Sequence, residues 1–206
     1  MQSKNAETMV EIHHLIAKRW SPRAFDKDRQ VPFNKIIALC EAARWAPSCY
    51  GDEPWRFMIF DKFTEEYSFE MALECVTEWN HNWVKNAPLL ITAIYDTKFR
   101  STTDKNEWAE FDTGAACQNI YLQAFAEGLI AHPFAGFDGS LFRSNFNIPT
   151  RYEILVMIAV GYQAEAYTLE SPYYEAEIKQ RKRRPLGVNF YRNSWERPII
   201  DDIAKD

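Results

Sequence analysis

Apolar residues recur along this chain with a helical period in some stretches and in short unbroken runs in others, and this alternation sets out its elements. Residues 8–18 and 34–46 read as helices. In the second, Ile36, Ile37, Leu39, Cys40 and Ala43 form a stripe that stops before Pro47. The run Trp-Arg-Phe-Met-Ile-Phe over 55–60 predicts a strand, a helix is expected over 65–79, and Pro88 opens a second strand over Leu89–Tyr95. The longest helical pattern covers 107–127 and is closed by Gly128. There Trp108, Phe111, Ala115, Leu122 and Phe125 share one stripe, while Ala109, Ala116, Ile120, Tyr121 and Ala124 lie elsewhere. A helix apolar nearly all round is expected at the heart of the fold or across a subunit contact. A loop is expected over Leu129–Phe137, a short helix over 138–145, a buried strand over Ile154–Tyr162 and a polar helix over 173–181. Helices outnumber dispersed strands, which predicts an α+β layered domain.

The 206 residues are enough for one well-buried core and carry no linker, repeat or low-complexity tract, so a single domain over 1–206 is expected. Aromatic side chains are abundant, with 7 Trp, 14 Phe and 10 Tyr. A net charge of -5 argues against broad attraction to nucleic acid or anionic membrane, so any anion site must be local. No run approaches the roughly eighteen apolar residues of a membrane span, and Met1–Ala6 is polar with no apolar run behind it. The expectation is a cytoplasmic protein. Cys40, Cys75 and Cys117 fall in apolar helical patterns as small core residues, whereas Cys49 falls in a loop, and no CxxC pair points to zinc.

Arg19-Trp20-Ser21-Pro22-Arg23 is the stretch richest in chemistry. Pro22 holds Ser21 out of helical geometry, and an extended backbone puts Arg19, Ser21 and Arg23 on one side. Two guanidiniums and a hydroxyl match a phosphate or the acceptor-rich edge of a planar ring. The competing reading is a solvated helix end whose arginines pair with nearby carboxylates. A second basic run covers Lys179-Gln180-Arg181-Lys182-Arg183-Arg184-Pro185. Glu175 with Lys179 and Glu177 with Arg181 are spaced as helical ion pairs, while Pro185 extends Arg184 so that Lys182 and Arg184 point together. Between the clusters, Ala46-Pro47-Ser48-Cys49-Tyr50-Gly51-Asp52-Glu53-Pro54-Trp55 is a turn-rich loop, and Gly136 permits close approach of a ligand to the backbone. No GxGxxG or GxxxxGK[ST] occurs, the histidines lack metal-ligand spacing, and a Ser48, Asp112, His132 triad has no GxSxG support.

These segments, in this order, resemble the flavin-dependent nitroreductases, over about residues 10–188. The matching pieces are Arg19 to Phe25; Ala46-Pro47-Ser48-Cys49 with Pro54-Trp55-Arg56-Phe57; Asn80-His81-Asn82-Trp83 with Ala87-Pro88; Asp112 to Asn119 leading to Gly128-Leu129; and the basic run before Pro185-Leu186. The resemblance implies a central, mostly antiparallel sheet surrounded by helices and a homodimer with FMN at the subunit interface. It implies that Arg19, Ser21 and Arg23 hold the FMN phosphate and ring edge, with Trp20 contributing backbone. Pro47, Ser48 and Cys49 would line the flavin from the other subunit, and Asn80 would reach the ring. Pro133, Phe134, Ala135 and Gly136 would lie along the redox face, the Gly136 N–H near N5, and Lys182 and Arg184 would close on the phosphate. The implied reaction is ping-pong hydride transfer from NADH or NADPH to a small nitroaromatic, quinone or related acceptor, with no catalytic side chain and no metal. Cys49, Gly51 and Glu53 stand where many relatives carry Ser, Asn and Gln, and Ala135 where some carry Glu. An FMN sensor or storage protein is the alternative, and the tail 189–206 has apolar residues with which to wrap a partner subunit.

Overall fold

The structure is a computed structural model that describes residues 4–200. In chain order the elements are α1 (His14–Lys18), α2 (Phe33–Arg44), β1 (Trp55–Asp61), α3 (Glu66–Glu74), α4 (Glu78–Val84), β2 (Leu89–Asp96), α5 (Ala109–Ala126), β3 (Ile130–Phe134), α6 (Gly139–Asn145), β4 (Tyr152–Gly161), α7 (Tyr173–Ile178) and α8 (Leu186–Asn189). The strands form one sheet in the order β1-β2-β4-β3, and every neighbouring pair is antiparallel.

Both faces of the sheet are covered, and the period of two along each strand divides the core. Leu90 and Ile94 of β2, with Met157 and Ala159 of β4, pack beside Phe69, Trp83 and Phe142 under α3, α4 and α6. Leu89, Ile91 and Ala93, with Ile158 and Val160, pack beside Leu39, Ala43, Ala116 and Ile120 under α2 and α5. A central strand covered on both sides needs apolar residues at successive positions, which is why β2 reads as a continuous run. The α+β layered expectation holds.

The structure corrects several local expectations. The helix expected over 65–79 is two, α3 and α4, because tertiary bonds claim the backbone between them. Thr77 N–H donates to the Gly136 carbonyl at 3.0 Å, and Asp138 N–H donates to the Cys75 carbonyl at 2.7 Å. The loop expected over Leu129–Phe137 contains β3, which tolerates Pro133 because it lies at the sheet edge, where a missing N–H costs nothing. The helix over 8–18 is confined to α1. Cys75 and Cys117 are buried, but Cys40 is only half-buried. Helix α5 buries Ala109, Asp112, Thr113, Ala116, Cys117, Ile120 and Ala124 and leaves the other face outward, with Phe111 73% exposed. Of the tail, 189–200 folds back on itself through a Tyr191–Pro198 bridge, and residues 201–206 lie outside the described residues.

Candidate functional site

Helix α1 stops at Arg19, whose backbone turns extended (φ -60°, ψ 131°), and the following segment runs beside the end of β4. Asp26 N–H donates to the Tyr162 carbonyl and Ala164 N–H to the Ala24 carbonyl, each at 2.9 Å. The alternation expected from Pro22 is visible, since Arg19 Nη1 donates to Ser21 Oγ at 3.3 Å. The Arg23 guanidinium lies 5.8 Å from the centre of the Trp83 ring, within cation–π range.

Pro22 points the other way, into the core. Its carbonyl is 2.9 Å from His132 Nδ1, and the His132 ring packs 4.5 Å from Trp83. Burial first, and then the Arg23 charge, push the His132 pKa down to about 4, so the ring is neutral near pH 7 and can donate from Nδ1 to that carbonyl. His132 thus supports the arginine segment from beneath, a role that no spacing in the sequence announces.

The positive charges converge with few counter-charges: the buried Glu177 carboxylate lies near Arg23 and Lys4 but spends its oxygens on backbone N–H groups. Among the described residues, Arg19, Arg23, Arg181, Lys182, Arg183 and Arg184 form no ion pair with a carboxylate. Burial, followed by the charges of Arg181 and Arg183, pulls the Arg19 pKa below its usual value, and burial with Arg183 does the same to Arg181. Like charges crowded together in a half-buried place, on a chain that is acidic overall, make a site electrostatically suited to an anion. The charges of the second run that reach Arg19 are those of Arg181 and, less, of Arg183; Lys182, Arg183 and Arg184 are all exposed.

The helical ion pairs expected in that run do not form. Glu175 accepts from Ser171 Oγ at 2.6 Å. Glu177 has no exposed surface and accepts from the backbone N–H groups of Arg23 at 2.9 Å and Ala24 at 3.3 Å. Helix α7 ends at Ile178, so Arg181 leaves the helix face and donates to the carbonyls of Arg19 and Ala17. Trp20 packs its ring 4.1 Å beneath the Lys4 ammonium.

Asn80 and Gly136 meet directly. Asn80 Nδ2 and Thr77 Oγ1 donate to the Gly136 carbonyl at 3.3 and 2.9 Å, and Asn80 Oδ1 accepts from Trp83 Nε1 at 3.2 Å. A Cβ on Gly136 would stand 2.2 Å from Asn80 Nδ2 and 2.9 Å from Thr77 Oγ1, so a side chain here would push both of these donors off the Gly136 carbonyl. Within one chain, Arg23, Trp83, Asn80 and Gly136 therefore form a continuous chain of contacts, with buried Phe134 edge-on to Trp83 at 5.5 Å. Pro133 is half-buried and Ala135 exposed beside them.

Pro47, Ser48 and Cys49 lie apart from this group. Their loop is bound to the start of α5, where Asp112 Oδ2 accepts from Cys49 N–H at 2.9 Å. Ser48 Oγ accepts from Glu53 N–H at 3.1 Å, and Tyr50 and Glu53 adopt left-handed backbone (φ 55° and 51°). Tyr121, the α5 residue whose charge state couples to Arg19, is about 14 Å along the helix from Asp112. The folding of one chain does not bring the two groups together.

The nitroreductase family model matches residues 16–78 and 63–162, which together span most of the chain. The chain belongs to the nitroreductase family. A solved oxidoreductase containing FMN superposes with a TM-score of 0.87 at 28% identity, covering 95% of this chain and 98% of that one. An Archaeoglobus fulgidus protein with a provisional NADH dehydrogenase/NAD(P)H nitroreductase name is 26% identical over 198 residues, 91% of this chain and 100% of its own. Iodotyrosine deiodinase 1 of Sus scrofa is 28% identical over 202 residues, 85% of this chain, and the match spans 66% of the deiodinase's length. Among the described residues no helix is long and apolar enough to cross a membrane, and no cluster of His, Cys, Asp and Glu could hold a metal ion.

Proposed function

We propose that this chain is an FMN-dependent oxidoreductase that takes hydride from NADH or NADPH and passes it to nitroaromatic, quinone or related small acceptors in alternating half-reactions. The observation that carries this reading is the convergence of Arg19, Ser21 and Arg23 with Arg183, arginines that form no ion pair with a carboxylate among the described residues. That donor set fits FMN, whose phosphate is a dianion and whose ring edge offers several acceptors. When bound, FMN supplies the hydride chemistry through N5, and the protein supplies orientation and electrostatics.

In this reading Arg19, Ser21 and Arg23 bind the phosphate and ring edge, and their fixed positive charge favours negative charge on the ring. Lys182 and Arg184, in the exposed run beyond Arg181, close over the phosphate. Pro133, Phe134, Ala135 and Gly136 line the redox face, with the Gly136 N–H directed at N5 while Asn80 and Thr77 hold its carbonyl. Asn80 acts on the ring from this position.

Pro47, Ser48 and Cys49 complete the site from a second copy of the chain in a homodimer. Trp45 and Tyr50 in the stretch that follows α2, and Trp108 and Phe111 at the start of α5, between 56% and 94% exposed, supply the apolar surface that such a dimer buries. The purified protein is expected to be yellow and to lose its flavin absorbance on anaerobic addition of NADH or NADPH. Reoxidation by a quinone or nitroarene then completes the cycle. A colourless protein that cannot be reconstituted with FMN overturns the reading, and bleaching without reoxidation leaves a flavin sensor in its place.

A further inference from the structure

The segment from Ala17 to Ala24 is gripped at both ends by one short stretch lying more than a hundred residues away. Glu177, fully buried, accepts from the N–H groups of Arg23 and Ala24 at 2.9 and 3.3 Å. Arg181 donates from Nη1 to the Arg19 carbonyl at 2.7 Å and from Nη2 to the Ala17 carbonyl. Between them, Lys4, only 3% exposed, donates to the Lys179 carbonyl at 2.7 Å and braces Trp20.

The chemistry of each group matches the end that it holds. A carboxylate can only accept and finds two N–H donors, whereas a guanidinium can only donate and finds two carbonyls. A buried carboxylate is costly unless it is bonded, so the pairing of Glu177 with these two peptides is enforced by its burial. From Arg181 the chain passes directly into Lys182, Arg183 and Arg184, so the same grip sets how the second basic run stands relative to the first.

We propose that Glu177 and Arg181 are positioning residues for the anion site. They hold the backbone from Ala17 to Ala24 so that Arg19, Ser21 and Arg23 converge on one phosphate, without touching it themselves. Ordering the segment in advance lowers the entropic cost of binding, which is large when several donors must meet one small anion. This inference rests on the FMN reading above.

The test uses the full chain with Glu177→Gln and Arg181→Met, FMN and riboflavin as probes, and amide hydrogen exchange of the ligand-free protein. Gln keeps the volume of Glu177 but presents one acceptor oxygen and turns an amide donor towards a backbone N–H. Faster exchange at Arg23 and Ala24 is expected, with FMN affinity falling about tenfold, the cost of one charge-assisted hydrogen bond. Riboflavin, which keeps the ring edge but has no phosphate, should lose clearly less than FMN, about threefold, whereas general destabilisation weakens both ligands alike. Unchanged exchange in a folded Glu177→Gln protein, or equal loss for FMN and riboflavin, overturns the proposal. Should Glu177→Gln not fold, Arg181→Met at a half-buried position decides: the same selective loss of FMN supports the grip, and an unaltered ratio overturns it. Wild-type protein that binds neither flavin removes the FMN reading itself and the inference with it, an outcome seen before any variant is made.

Discussion

The arginine segment and the apolar surface around the end of α2 and the start of α5, the two halves of the proposed site, are finished to different degrees. At Arg19–Ala24, backbone groups are bonded to Glu177, Arg181 and Ala164 just after β4, and His132 closes the underside, so the chain assembles this half alone. At Trp45, Tyr50, Trp108 and Phe111, large apolar side chains face outward, although the loop beneath them is anchored to Asp112. The difference teaches that a single chain orders its clustered positive charge by itself. The apolar surface stays open in one chain, and in the proposed dimer its burial would drive assembly.

The largest expected effect breaks the finished half from below. The pKa of His132 is held at about 4, whereas an unfolded His ionises near 6.5, so the unfolded chain takes up its proton first as pH falls. Stability contributed by the neutral ring is present above about pH 6.5 and is lost progressively down to about pH 4, by about 3 kcal/mol in all. Urea unfolding of wild type and His132→Gln from pH 7 to 4 checks this. A variant with the wild-type pH slope contradicts the assignment.

Next in size is Arg23→Ala, which removes a charged donor from the anion site and should cost about 2 kcal/mol of FMN binding, roughly a thirtyfold weaker Kd. Flavin fluorescence titration measures it, and sedimentation should show the same association state as wild type. Asp112→Ala reaches the other half by freeing the Cys49 N–H, for an expected loss of about 1 kcal/mol in chain stability. Faster amide exchange should be confined to residues 47–51, and exchange spread through α5 would speak against so local an anchor. Smallest for the chain itself is Phe111→Ser, within about 0.5 kcal/mol by thermal unfolding, because an exposed side chain loses little. Its effect belongs to association: a lower dimer fraction is expected, and an unaltered one places the dimer contact elsewhere.

Much of the fold was legible because it depends on local period. The unbroken run of β2, the stripe of α2 and the length of α5 are consequences of which faces must be buried, and the proline before Arg23 settled the alternation that brings Arg19 to Ser21. Sequence determined these elements, the basic character of the site and the family pattern. What only the tertiary structure decided depends on partners far away along the chain. Thr77 and Asp138 split one expected helix by supplying bonds across the sheet end, and Pro133 entered a strand because β3 is an edge. Glu177 and Arg181 have the spacing of a solvated helical pair, and nothing local distinguishes that pair from two groups that turn inward. Burial made the distinction, since a carboxylate taken out of water must find donors, and the nearest were the peptides of Arg23 and Ala24.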